Sequence, residues 1–238
     1  MARPSVLVVH GALGSAQQMQ PLVDALMASG RFTSARAIEL PGHGHTPLDE
    51  GKSFGMDTFA DTLAGTAVAM WEDTGHLPVV FGYSMGGYAA MLLASRTAGV
   101  IGPLVTLGTM VRWTPAIAEQ AAARLDPAMI ASKVPAFADT LAARHEGAGG
   151  WERMMQRTAT LLRELGDAPP LTHAAFGTIR SPVHLLVGEK DDSVTLGDCE
   201  EVAALMPNAR ASLLPGVPHP IERVPLASIV DLVTELAH

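Results

Sequence analysis

Cysteine, positive charge and long apolar runs are all scarce in this chain, and each scarcity excludes something. Of 238 residues only Cys199 is a cysteine. A single cysteine closes no internal disulfide and completes neither an all-cysteine zinc site nor an iron–sulfur cluster. Lys and Arg total 16 against 24 Asp and Glu, a formal net charge of −8. With no Lys/Arg run, the chain is a poor ligand for a phosphate backbone, and no nucleic-acid partner is expected. Neither G-x-x-x-x-G-K-[ST] nor a G-x-G-x-x-G after a strand occurs, which disfavours nucleotide binding. No apolar stretch approaches the roughly 18 residues that a membrane span requires. The apolar run at 5–9 falls short of a secretory core of about 7–15 residues and meets a turn signal at Gly11. A cytoplasmic protein is therefore expected.

The composition is otherwise that of a folded domain. Apolar residues make up 48% and charged residues 17%, the reverse of a disordered composition. Six short runs read as strands: 5–10, 34–40, 78–83, 103–107, 182–187 and 209–214. Helical spacing fills the gaps at 17–29, 57–73, 85–94, 194–206 and 222–237. Strands that look buried on both faces, alternating with helices, predict an α/β fold with a mostly parallel six-stranded sheet covered on each side. The alternation fails between 111 and 177. That Ala-rich stretch reads as three helices punctuated at Asp126-Pro127, Gly147–Gly150 and Ala168-Pro169-Pro170. The expected organisation is a core of residues 1–110 and 178–238, with 111–177 inserted as a helical cap, or lid.

Gly82-Tyr83-Ser84-Met85-Gly86-Gly87 fits G-x-S-x-G at the end of a strand and the start of a helix. A serine in a tight turn needs neighbours without Cβ atoms two residues away on either side, which Gly82 and Gly86 supply. A serine hydroxyl is a weak nucleophile and needs a base, itself oriented by an acid. His219 lies in a loop after the sixth strand, and loops at the carboxyl ends of parallel strands share one cleft. The acid is expected after strand five, in Gly188-Glu189-Lys190-Asp191-Asp192. Asp191 is preferred, with Asp192 the alternative. For the oxyanion, the backbone N–H of Met85 is one candidate donor and that of Ala12, in the turn after strand one, the other. Met110, Trp113, Met129 and Met154 are the candidate lining of an apolar substrate pocket. Cys199 reads as a packed helix residue. The pair His43 and His45 completes no metal site, and no metal or cofactor is expected.

Four landmarks now stand in one order: His10-Gly11, Pro41-Gly42-His43-Gly44, the serine motif, and Gly188-Glu189-Lys190-Asp191 followed by Pro218-His219. In this the chain resembles the α/β-hydrolase superfamily, whose order of nucleophile, acid and base it also shares. The resemblance implies Ser84 as nucleophile, Asp191 as acid, His219 as base, Ala12 and Met85 as oxyanion donors, and a structural role for the His43 loop. It also implies a six-stranded version, with no room before Ser5 for the family's first two strands. The expected activity is hydrolysis of a carboxylic ester or thioester through an acyl-enzyme, on a small-molecule substrate, by a monomer or homodimer. Ser84 excludes the branches that use an elbow aspartate. Carbon–carbon bond hydrolases or lyases, cofactor-free haloperoxidases and a slow-turnover binding protein are the alternatives.

Overall fold

The structure, a computed structural model, describes residues 3–237. Six strands form one sheet: β1 (Ser5–Val9), β2 (Ser34–Ile38), β3 (Val79–Tyr83), β4 (Leu104–Leu107), β5 (Val183–Lys190) and β6 (Ala209–Pro218). Their spatial order is β2-β1-β3-β4-β5-β6, and every pairing is parallel. The expected "mostly parallel" sheet is thus wholly parallel.

Strand periodicity divides the core in two. Successive side chains point to opposite faces. Val6 and Val8 join Val79, Phe81 and Val105 in one apolar cluster. Leu7 and Val9 join Val80, Leu104 and Leu185 in the other. Helices α1 (Ala16–Ala28) and α10 (Leu226–Leu236) cover the first face with Leu22, Leu26, Ile229 and Val233. Helices α2 (Met56–Thr74), α3 (Met85–Arg96) and α9 (Leu196–Ala203) cover the second. Each fully buried Val, Leu or Phe contributes roughly 1.5–3 kcal/mol, so both faces of the sheet must be covered. Cys199 packs inside α9 as expected, and burial pushes its thiol up to about 12.

Between β4 and β5 the chain is helical, in five α-helices among the described residues and not three. They are α4 (Pro115–Ala122), α5 (Pro127–Lys133), α6 (Pro135–Arg144), α7 (Trp151–Asp167) and α8 (His173–Phe176). The sequence reading misses the break at Val134-Pro135 and the short helix α8 that follows Ala168-Pro169-Pro170. Proline at a first helical position starts α6, and it disfavours the helical conformation of the residue before it, ending α5. Trp151 and Met155 of α7 pack with Ala138 and Leu141 of α6 in a third, smaller core. None of the helices among the described residues is long and apolar enough to cross a membrane.

The topology fixes where a site can form. From β1 the chain crosses to β2 on one side, and from β3 to β4 on the other. The carboxyl ends of β1 and β3 therefore flank the point where the winding reverses, the usual crevice of open parallel sheets.

Candidate active site

Ser84 closes β3 with φ 50° and ψ −117°, one of two positive-φ non-glycine residues among those described. A conformation this sparsely populated costs of order 1–3 kcal/mol and needs surrounding structure to hold it. That structure is visible. The Ser84 N–H donates to the Leu107 carbonyl at 2.8 Å, and its own carbonyl accepts from Gly87 N–H at 3.0 Å and from Thr109 Oγ at 3.0 Å. A Cβ on Gly82 would lie 2.5 Å from Gly87 Cα, and one on Gly86 would strike the backbone carbonyls of Val9 and His10. The glycines let the strand, the turn and α3 close on each other, as the motif requires.

The turn after β1 approaches from the other side. Gly14 N–H donates to Gly11 O at 3.1 Å, closing a tight turn with Ala12 and Leu13 at its centre. Leu13 has φ 59°, a position where glycine or asparagine is usual. Its carbonyl accepts from Arg144 Nη1 at 2.8 Å and from His145 Nε2 at 3.1 Å. The buried His10 braces the base of the turn. Its Nδ1–H donates to Gly11 O at 2.8 Å while its Nε2 accepts from Leu40 N–H at 3.1 Å. Burial holds the His10 pKa down to about 4, so the ring stays neutral. Neither the Ala12 N–H nor the Met85 N–H donates to any group among the described residues. Both residues line the cleft with Ser84, and Met85 begins a twelve-residue helix whose positive end faces it.

The two adjacent acids separate cleanly. The Asp191 side chain is 1% exposed, and its Oδ2 accepts from His219 Nδ1–H at 2.7 Å. Its Oδ1 accepts from the N–H groups of Ser193 (2.8 Å) and Val194 (3.2 Å). Asp192 is 79% exposed and lies beside Arg124. The acid that meets the histidine is therefore Asp191. With Nδ1 committed, Nε2 is the free ring nitrogen of His219, and the residue lines the cleft shared with Ser84. No hydrogen bond joins Ser84 Oγ to this ring; such contacts are often long before substrate binds.

Three residues that sequence reasoning passed over support these groups. Gly108, at φ 62°, leaves room: a Cβ there would lie 3.1 Å from Asp191 Oδ2 and 3.1 Å from His219 Nδ1. Thr109 ties the nucleophile turn to β4. Tyr83 donates its hydroxyl to the His219 carbonyl at 3.0 Å, and its ring lies 5.5 Å from the imidazole. Burial raises the Tyr83 phenol well above its ordinary range, so it remains a donor. The available signal was Gly108-Thr109 at the carboxyl end of a strand, the same position that flagged the other loops.

The cleft measures about 360 Å³. Met110 and Trp113 line it as expected, joined by Met56, Tyr88, Leu125 and Phe137. The structure does not bring Met129 or Met154 there. Met129 is 45% exposed on α5, and Met154 is buried against Thr158 within α7. Both are apolar residues of the same helical segment, but Met129 turns to solvent and Met154 to packing. His43 is wholly buried, stacked on Phe54 with ring centroids 5.2 Å apart. No group of three or more His, Cys, Asp or Glu side chains placed to hold a metal occurs among the described residues.

Comparison with known proteins bears on the family and the fold. The alpha/beta hydrolase family pattern matches residues 6–232. A pimeloyl-[acyl-carrier protein] methyl ester esterase of Aromatoleum aromaticum is 28% identical, covering 88% of each chain. Among solved structures, NosK from Streptomyces actuosus superposes with a TM-score of 0.77 at 23% identity, over 98% of this chain and 97% of that one. A 2-hydroxy-6-oxo-6-phenylhexa-2,4-dienoate hydrolase from Rhodococcus sp. strain RHA1 superposes at 0.73 with 17% identity, over 98% and 90%. At these identities the two solved structures speak for the fold.

Proposed function

The chain belongs to the alpha/beta hydrolase family, and on that premise we propose that it is a serine hydrolase of carboxylic esters, or thioesters, working through an acyl-enzyme. Ser84 is the nucleophile, His219 the general base and Asp191 the residue that orients it. The observation that carries this reading is the 2.7 Å His219–Asp191 hydrogen bond opening on the same cleft as a serine held at positive φ.

Ser84 Oγ bonds to the ester carbonyl carbon as His219 Nε2 takes the hydroxyl proton. The carbonyl oxygen, now negative, lies between the N–H groups of Ala12 and Met85. Asp191 holds the imidazole in the tautomer that accepts at Nε2 and stabilises the imidazolium. The carbon–oxygen bond then breaks, and His219 gives its proton to the departing alcohol. Water repeats the sequence on the acyl-enzyme, releasing the acid and restoring Ser84. Losing one oxyanion donor typically costs about 2.7–4 kcal/mol of barrier.

Segment 111–177 acts in this reading as a lid. Trp113, Leu125, Phe137 and Leu162 come from it to line the cleft. That apolar lining suits the acyl chain of the substrate. The relative's name, a methyl ester esterase acting on a carrier-bound acyl group, supports a small alcohol as leaving group.

The test is an acyl-chain series of nitrophenyl esters on wild type and Ser84→Ala, with fluorophosphonate labelling alongside. Hydrolysis and labelling that both vanish in Ser84→Ala support the proposal. Equal turnover in the variant, or an unlabelled wild type, overturns it. Because the fold also carries a dienoate hydrolase, a vinylogous diketone is included. Turnover of that compound in preference to every ester would move the assignment to carbon–carbon bond cleavage.

A further inference from the structure

The end of α6 reaches out of the helical insertion and grips the turn after β1. Arg144 and His145 come from adjacent positions, about 130 residues along the chain from Leu13, and both donate to its carbonyl. The contact is built on both sides. The other ring nitrogen of His145, Nδ1, accepts from Gly44 N–H at 2.9 Å, so Nε2 must carry the proton that it gives to Leu13. Arg144 places its second terminal nitrogen 3.5 Å from Glu222 Oε1, three residues beyond His219. Glu222 in turn accepts from Gln18 at 2.6 Å. His145 is wholly buried, and the Arg144 side chain is 16% exposed at the cleft wall.

The turn itself is braced unequally. Its Gly11 carbonyl is held from the core by His10 Nδ1 and from within the turn by Gly14 N–H. Its Leu13 side is held by the insertion. Leu13 has a left-handed φ that a leucine does not keep unaided. Withdraw the two donors and its carbonyl is left in a mostly buried setting without partners, which favours rotation of that peptide towards water. That rotation also turns away the Gly14 N–H, which shares its peptide with the Leu13 carbonyl and holds Gly11 O, the carbonyl of the peptide that carries the Ala12 N–H.

We propose that Arg144 and His145 are positioning residues for the oxyanion hole: by holding the Leu13 carbonyl they keep the Ala12 N–H aimed, with that of Met85, at the reacting oxygen. The hole is then complete only while the α6 end of the insertion is seated. This rests on Ser84 being the nucleophile and Ala12 an oxyanion donor.

The test uses the full chain carrying Arg144→Met, Arg144→Lys or His145→Asn, with Ser84→Ala and Arg163→Met as references. Arg163→Met removes a surface ion pair with Glu119 in the same insertion and controls for loosening of that segment. Rates of the Arg144, His145 and Arg163 variants are expressed per active site titrated to completion with a fluorophosphonate, so a partly folded preparation does not distort them, and the rate of Ser84→Ala is expressed per mole of folded protein. The substrate is a nitrophenyl butyrate, and two inhibitors are compared. A trifluoromethyl ketone forms a tetrahedral adduct that needs the hole; butyrate, the product, does not.

In Arg144→Met and His145→Asn, kcat should fall about 10–100-fold, somewhat less than outright loss of an oxyanion donor, with KM nearly unchanged. Affinity for the ketone should fall by a similar factor while that for butyrate holds. Arg144→Lys, which keeps a cationic donor, should recover much of the loss, and Arg163→Met should behave as wild type. If His145→Asn does not fold, Arg144→Met decides. Wild-type kcat and ketone affinity in Arg144→Met, with Ser84→Ala inactive, overturns the positioning role and leaves the hydrolase reading standing. Undiminished hydrolysis in Ser84→Ala removes both.

Discussion

At the residue scale, two neighbouring aspartates have opposite surroundings. Asp191 spends one oxygen on His219 and the other on two backbone N–H groups, whereas Asp192 faces solvent. Asp191→Asn keeps the shape but offers His219 a different partner, which favours the wrong imidazole tautomer. Its kcat should fall by about 10³–10⁴, as when the acid of a serine triad is neutralised. Asp192→Asn should stay close to wild type. Steady-state rates on one ester decide the matter, and a comparable loss in Asp192→Asn would refute the assignment. Sequence narrows the candidate acid to these two residues, with Asp191 preferred, and does not separate their surroundings. Their distinction lies in which side chain turns under His219, and adjacent residues in a turn carry no periodic signal for that. Gly108 and Thr109 are hidden for the same reason, since their importance comes from His219 and Ser84, which are remote in the chain.

At the element scale, one substitution should have opposite signs in two helices. Gly65 lies in the middle of α2 with nothing within 4 Å of where a Cβ would stand. Glycine there gives up more chain entropy on folding than alanine does, so Gly65→Ala should stabilise by about 0.5–1 kcal/mol. Gly86, in the first turn of α3, has no such room. Gly86→Ala should cost about 1–3 kcal/mol or more, because backbone atoms rather than flexible side chains would have to move. At roughly 2–4 °C per kcal/mol for a chain of this size, thermal melts resolve both. A rise for Gly86→Ala or a fall for Gly65→Ala would contradict the packing described above. The elements themselves are largely legible, since β1 and β3 are continuous apolar runs of the kind buried parallel strands need. The exceptions are instructive. β6 runs on to Pro218 through Pro215-Gly216, a pair that ordinarily ends a strand. β5 likewise continues past an irregularity between Gly188 and Lys190. Both extensions are held by pairing with each other, which local propensity does not encode.

For the whole molecule, the buried histidines set a response to acid. Burial is the main cause that holds the pKa values of His10, His145 and His184 down to about 4, and His43 well below its usual value. All four stay neutral in the fold but can protonate once the chain unfolds, near 6.5. Their contribution is therefore complete above about pH 6.5 and is lost progressively as pH falls towards 4. Each adds up to about 1.4 kcal/mol per pH unit to the decline over that window. Urea midpoints at pH 7.0, 5.5 and 4.5, values chosen to span roughly this window, should fall steeply; a flat series would mean that these rings take up protons without unfolding. The seating of α6 carries one more consequence, for evolution and engineering. If the insertion merely roofed the cleft, it could be exchanged between relatives like a lens on a camera, altering selectivity and sparing the rate. Because its arginine and histidine reach back to the turn after β1, a transplanted segment of different sequence would bring new selectivity and a slower reaction together, unless the donor carried equivalent side chains at the same corner.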